Sequence, residues 1–247
     1  MENIAISLEN VSKTYTILDK ISYKDLLFSF LKKKKLCLYK HVEALKNISF
    51  TVNKGESVGI IGRNGAGKST LLGLIAGVIK PTKGSVFVNG RISPLLELGG
   101  GFHPDLNAYE NIILNGVLMG VPLKKIRKKL HEIIEFAELE RYANQPIRTY
   151  SSGMLARLGF AIVTQLEPEI LLIDEVLAVG DIRFREKCID LMLNFKKQRV
   201  TIILVSHNLE DIKTICDRVI WLENHKIKMD GPTDLVLSKY EEVMHNA

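Results

Sequence analysis

The chain has 247 residues, 46% hydrophobic and 25% charged, which is enough apolar material for one large domain or two small ones and excludes a disordered chain. A formal net charge of +6 suits an acidic partner, either nucleic acid or an anionic membrane surface. Cys37, Cys188 and Cys216 show no paired metal spacing and read as free thiols of a reducing cytosol; no apolar run reaches bilayer-spanning length and Met1-Glu2-Asn3-Ile4 is no secretory signal, so a soluble or peripheral protein is expected.

Along the chain, Ile4 to Leu8 alternates as a strand does, and the stretch Leu8 to Tyr15 follows it. A second strand is expected at Ile48–Val52, closed by the turn Asn53-Lys54-Gly55. Between the two lies an inserted segment, roughly residues 19–43. Within it Tyr23, Leu26, Leu27, Phe30 and Leu31 form one apolar helical stripe that runs into Lys32-Lys33-Lys34-Lys35. Such a helix suits the cytoplasmic membrane surface or a membrane partner, or else packs on its own domain with a solvated lysine tail.

The apolar run Ser57–Ile61 then meets Gly62-Arg63-Asn64-Gly65-Ala66-Gly67-Lys68-Ser69, and a helix follows from Thr70. Strand, G-x-x-x-x-G-K-S and helix together make a phosphate cradle: backbone N–H groups point into the loop beside the positive end of the helix. Lys68 can reach the β- and γ-phosphates of a nucleotide, and the Ser69 hydroxyl can bind Mg²⁺.

A turn at Pro81–Gly84, a strand at Ser85–Val88 and a turn at Asn89-Gly90 come next. Gly99, Gly100 and Gly101 mark a loop. One helix is expected from Tyr109 to about Leu139, with Leu130, Ile133, Ile134 and Ala137 on its inner face and Lys124, Lys125, Arg127, Lys128 and Lys129 outside, a solvated face or a functional patch. Another helix starts near Ser151, a good cap residue.

Ile170–Ile173 and Thr201–Val205 are continuously apolar, as parallel strands buried on both faces are. The first ends in Asp174-Glu175 and the second in Ser206-His207. Two edge strands, Arg218–Leu222 and Lys226–Met229, follow a helix around Leu209–Cys216, and a C-terminal helix runs over residues 233–247. Alternating strands and helices give an α/β domain with a mostly parallel sheet, whose ligands sit at the carboxyl ends of the strands. There Asp174 suits Mg²⁺ or its waters, Glu175 is placed to orient and deprotonate an attacking water, and His207 can contact the γ-phosphate. No internal repeat or low-complexity linker is present.

In these residues and their order the chain resembles, over nearly its whole length, the ATP-binding subunits of ABC transporters. Tyr150-Ser151-Ser152-Gly153-Met154 stands in the place of that family's signature motif, Leu177-Ala178-Val179-Gly180-Asp181 in the place of its D-loop, and His207 matches its switch histidine. Tyr15, or Tyr39 displaced by the insertion, matches the aromatic that stacks on adenine. The resemblance implies a single domain over residues 1–247, with a P-loop NTPase core, an N-terminal antiparallel β region and a helical subdomain at about residues 98–165. It implies ATP and Mg²⁺ as ligands and a head-to-tail homodimer sandwiching two ATP. The implied ATP-binding set is Tyr15, Gly62, Asn64, Gly65, Ala66, Gly67, Lys68, Ser69, Thr70, Ser151, Ser152, Gly153 and Asp181, with Mg²⁺ on Ser69 and Asp174 and catalysis by Glu175 and His207.

Two departures stand out. Ser152 and Met154 replace the signature's first glycine and its glutamine, and the Q-loop glutamine falls on Leu98 beside Glu97. Both departures, with Leu96–Pro104 and Asp174–Asp181, are similar to the polysaccharide-export branch that serves O-antigen, capsule and teichoic acid. Members of that branch carry a gate helix in the insertion, and some O-antigen members add a C-terminal carbohydrate-binding domain, for which this chain is too short. The resemblance thus implies a peripheral protein of the bacterial cytoplasmic membrane, working with two copies of a transmembrane permease on a lipid-linked glycan, and not on nucleic acid. A drug or lipid exporter subunit and a soluble ribosome- or nucleic-acid-associated ATPase are the alternatives. The single set of motifs counts against the latter, whose members usually fuse two ATPase domains.

Overall fold

The computed structural model describes residues 3–18, 39–95, 101–174 and 182–245. Strands β1 (Ile4–Leu18), β2 (Tyr39–Asn53) and β4 (Lys83–Val88) form an antiparallel sheet in the order β2-β1-β4. β2 begins well ahead of the expected Ile48, because pairing with β1 continues as far as Leu18 opposite Tyr39. Residues 39–43 of the expected insertion are therefore strand. The apolar stripe and lysine run of that insertion lie outside the described residues.

A second sheet has the order β5-β6-β7-β3-β8-β9, built from β3 (Ser57–Ile61), β5 (Ile92–Leu95), β6 (Ile170–Asp174), β7 (Thr201–Val205), β8 (Arg218–Glu223) and β9 (Lys226–Pro232). Its pairs are parallel except β8 with β9. β8, expected at an edge, lies inside the sheet between β3 and β9. Val219, Ile220, Trp221 and Leu222 are all buried, which an edge position would not require. β5 is the true far edge, and that is why Pro94 is tolerated in it: an edge strand needs ladder donors on one side only.

Both faces of this sheet are covered. On one side Val58, Ile60, Ile170, Leu172, Ile203 and Ile220 join Leu71, Leu72 and Ile75 of helix α1 (Lys68–Ile75) and the inner face of the first sheet. On the other, Leu171, Ile173, Ile202, Leu204 and Trp221 pack on α5 (Ile182–Lys197), α6 (Leu209–Ile215) and α7 (Thr233–His245). Cys188 and Cys216 are free thiols inside this second core, and burial pushes the Cys188 thiol up to about 12.

Between β5 and β6 runs a helical region with a core of its own, made by Ala108, Ile112, Ile126, Ile133, Leu158 and Ile162 among others. The single helix expected there is two, α2 (Ala108–Leu118) and α3 (Leu123–Ala137), followed by α4 (Ser152–Gln165). Gly120 takes φ 76, its N–H donates to Val117 O, and Val121 N–H donates to Gly116 O, so a Schellman turn ends α2. Pro122 then caps α3. The turn folds α3 back on α2, and Gly116 permits the contact: a Cβ there would lie 2.6 Å from Ile126 Cδ1.

Arg218 clasps the two sheets together. Its Nε and Nη2 donate to the two oxygens of Asp230 at 2.6 Å each, while Nη1 donates to Glu56 Oε1 and to Thr51 O at 3.0 Å. Glu56 Oε2 in turn accepts from Asn53 N–H. Replacing Arg218 by Met strands both carboxylates at a half-buried site. We expect a loss of about 2–4 kcal/mol of stability by urea unfolding; a loss of a few tenths would show that the clasp contributes nothing.

Candidate functional site

The loop from Gly62 to Gly67 joins the buried end of β3 to the first turn of α1. Gly67 is the N-cap, at φ 106, and no side chain caps the helix. The first-turn N–H groups are thus left for an outside acceptor, at the positive end of the helix dipole. They border a cavity of about 220 Å³ lined by Ala44, Asn64, Gly65, Gly67, Lys68, Ser69 and Thr70. Lys68 is 6% exposed, and its ammonium donates to Gly62 O at 2.9 Å and Arg63 O at 3.2 Å, so the charge lies across the loop. Ala66 is buried beneath, its N–H donating to Arg63 O.

Two of the loop's glycines are demanded by close approach. A Cβ on Gly62 would sit 2.3 Å from Leu222 O, and one on Gly67 would sit 2.5 Å from Ala44 O. Gly65 meets nothing within 4 Å; its φ of 81 alone favours glycine.

Pairing across β6, β7 and β3 sets Asp174 level with Val205 and Val205 level with Ile60. Two strand spacings of about 4.8 Å therefore separate Asp174 from Ile60, whose chain enters the phosphate loop two residues later. His207 leaves the end of β7 between them, exposed, just before the N-cap Asn208 of α6. Asp174, His207 and the phosphate loop thus share the carboxyl end of three adjacent parallel strands. Glu175 and Asp181 lie outside the described residues.

The half-buried Asp174 carboxylate and the exposed Ser69 hydroxyl are hard oxygen donors. Among the described residues no group of three or more His, Cys, Asp and Glu could hold a metal ion by itself. One hydroxyl, one carboxylate and an adjacent phosphate cradle is a donor set that fits Mg²⁺, which keeps several waters and shares phosphate oxygens.

Tyr15 and Tyr39 both project from the first sheet, 36% and 54% exposed. They differ in distance from the cavity. Tyr15 is paired with Val42, two residues along β2 from the cavity-lining Ala44, or about 7 Å at strand rise. Tyr39 is five residues from Ala44, about 17 Å. The Lys13 ammonium lies 5.0 Å from the Tyr15 ring centroid.

Ser151 caps α4, its hydroxyl accepting from Met154 N–H at 3.2 Å, while Ser152 is exposed and Gly153 half-buried at the tip of the helix. Tyr150 instead points inward: its hydroxyl donates to Tyr142 O at 2.8 Å, and burial, then Tyr109, raise its pKa. In this single chain the Ser151–Gly153 tip and the phosphate loop belong to different bodies of helix and sheet.

Sequence reasoning passed over two residues of this region. Ala44 lines the cavity from a remote strand, and no local pattern marks it. Asn111 is fully buried and accepts from His103 N–H while donating to the carbonyls of His103, Leu106 and Asn107. It fastens the loop that follows Gly101 onto α2, next to a capping box of Asn107 and Glu110. The same loop is tied to the approach to Ser151: Arg148 N–H donates to Pro104 O, Ile147 N–H to Leu106 O, and the Arg148 guanidinium pairs with Asp105. Glu97 and Leu98 lie outside the described residues. Of the basic run on α3, Lys125 pairs with Glu167 and Lys129 with Glu132, leaving Lys124, Arg127 and Lys128 to solvent.

A family model described as ABC transporter matches residues 45–178, more than half of the chain. The chain is 52% identical to the O-antigen export system ATP-binding protein of Klebsiella pneumoniae, over 97% of this chain and 98% of that one. It is 43% identical to the teichoic acids export ATP-binding protein of Listeria monocytogenes, over 98% of this chain and 71% of the relative. A solved dimeric ATP-binding cassette in a post-hydrolysis state, bound to ADP and Pi, superposes with TM-score 0.73 at 25% identity, over 92% of this chain and 98% of that one.

Gly67→Ala combines a left-handed backbone with a clash against a main-chain oxygen. It is expected to cost about 1–3 kcal/mol and lower the melting temperature by several degrees. An unchanged melting temperature would mean that β2 and α1 do not meet as described.

Proposed function

The chain belongs to the ABC transporter family as an ATP-binding cassette, and from this premise we propose that it is the ATP-hydrolysing subunit of an exporter of a lipid-linked polysaccharide. The carrying observation is the convergence of Gly62–Ser69, Asp174 and His207 at three neighbouring strand ends. The chain in which they converge is 52% identical, nearly end to end, to an O-antigen export ATP-binding protein.

In this reading the loop N–H groups and Lys68 hold the β- and γ-phosphates, with Asn64, Gly65, Ala66, Gly67 and Thr70 shaping the cradle. Ser69 and Asp174 would hold Mg²⁺, whose charge offsets that of the phosphates. Tyr15, being nearer the cavity than Tyr39, stacks on adenine. Glu175 accepts the proton of a water that attacks the γ-phosphorus as the bond to the β-phosphate breaks, giving ADP and phosphate. His207 donates to the γ-phosphate. The cap of α4, at Ser151, Ser152 and Gly153, completes the site of a second copy, and Asp181 lies at the seam, so a head-to-tail homodimer encloses two nucleotides. Its closing and opening supply the two states that two transmembrane permease subunits follow. No helix among the described residues is long and apolar enough to cross a membrane. Attachment is assigned instead to the permease and to the stripe Tyr23–Leu31 with Lys32–Lys35, at the cytoplasmic face of the bacterial inner membrane.

Glu175→Gln in the assembled transporter should keep ATP binding and dimerisation while turnover falls by about 10²–10⁴-fold. Near-normal turnover, or a protein that stays monomeric with ATP, would overturn the assignment. Lys68→Ala should weaken ATP binding by tenfold or more, on the order of a lost charge-assisted contact. Deleting residues 22–36 should spare basal hydrolysis and abolish glycan export; normal surface glycan would remove the insertion from the mechanism.

A further inference from the structure

The hairpin that joins β8 to β9 turns on Asn224 and His225, at φ 48 and 66. Positive φ at both central residues is the type I′ geometry that matches strand twist, and it favours Asn and Gly. Nothing in the turn itself calls for an imidazole. The ring has a contact elsewhere: His225 Nδ1 lies 3.2 Å from Ala44 O, and the His225 carbonyl accepts from Lys46 N–H at 2.8 Å. Since the partner is a carbonyl, Nδ1 is the protonated nitrogen. Two hydrogen bonds therefore bracket Ala44-Leu45-Lys46 from the hairpin side.

Ala44 is a special point of β2. Lys13 pairs with Leu45 while Thr14 pairs with Glu43, so Ala44 is the extra residue of a β-bulge. A bulge breaks the ladder and leaves its peptide to be held by something else. Here the same peptide forms a wall of the cavity with Lys68 and Ser69, and its oxygen is the atom that excludes a Cβ from Gly67. It also sets where Tyr15 stands, two cross-strand pairs beyond.

We propose that His225 is a positioning residue for nucleotide binding. By donating to Ala44 O it fixes the bulge against the phosphate loop, and so sets the spacing between the phosphate cradle and the aromatic end of the site. The assignment rests on the cavity being the phosphate site of ATP, as proposed above. His225 itself touches neither the cavity nor the reacting atoms.

The test uses the full chain with ATP. His225→Gly keeps the left-handed turn and deletes the donor, whereas His225→Asn keeps the turn and offers an amide N–H in its place. The glycine variant should raise the Kd and KM for ATP by about fivefold, with kcat little changed and a near-native melting temperature, and the asparagine variant should restore most of the affinity. If the glycine variant does not fold, His225→Asp against His225→Asn is the comparison, as the two are isosteric and only Asn donates. ATP affinity within twofold of native for His225→Gly, or no recovery with Asn, overturns the proposal. Lys68→Ala run in parallel separates the two readings. If it too leaves ATP affinity unchanged, the cavity is not the phosphate site; if it alone weakens binding, only the role of His225 falls.

Discussion

The structure depends on one close approach, that of the β2 backbone at Ala44 to the N-cap of α1 at Gly67. The antiparallel sheet and the parallel sheet are separate ladders, and their shared core is apolar and non-directional. The Ala44 contact gives that association a register. With a Cβ at Gly67 only 2.5 Å from Ala44 O, no other residue type lets the two backbones meet. The same contact makes a wall of the cavity beside Lys68 and Ser69 out of a strand that otherwise has no part in it. Arg218 acts at the far end of the same seam, joining Asp230, Glu56 and Thr51 O, so the sheets are fixed at two widely separated points.

The parallel sheet explains why the chemical groups gather where they do. Strands buried on both faces carry no functional side chain along their length, as the wholly buried β3 and β7 show. Polar groups can appear only where a strand ends, and parallel strands all end on one side. Asp174, His207 and the Gly62–Ser69 loop are neighbours for that reason, although more than a hundred residues of sequence separate the loop from the other two. The helical region packs on a core of its own, so the cap of α4 is carried by a different set of contacts from the phosphate loop.

Features set by local chemistry were legible in the sequence. The phosphate loop, the Ser151 cap and the apolar strands before Asp174 and Ser206 all depend on residues within a few positions of each other. Features set by neighbours in space were not. β8 reads as an edge from its charged ends, yet four buried residues and a place beside β3 make it internal. β5 is four residues with a proline, too short and too unlike a strand to be seen without its partner β6. The split of residues 109–139 into α2 and α3 is a local matter: Gly120-Val121-Pro122 is a helix stop and start that the single-helix expectation passed over, following the apolar positions on either side of it. α5 buries Phe184, Cys188, Met192 and Phe195, while Ile182, Ile189, Leu191 and Leu193 blur that stripe, and no helix was expected there. Ala44 and His225 belong to this second class, since one is an unmarked alanine and the other a turn residue.

The ties between the stretch 103–107 and the approach to Ser151 have a mechanical meaning. Asn111 sews one end to α2, and Pro104, Asp105 and Leu106 are knotted to Ile147 and Arg148, three residues short of the cap. The two strips of backbone cannot slide past each other without tearing these links, so whatever displaces one displaces both. A push on Pro104 is therefore handed on to Arg148, and through it to the head of α4, as a crank passes torque to its shaft.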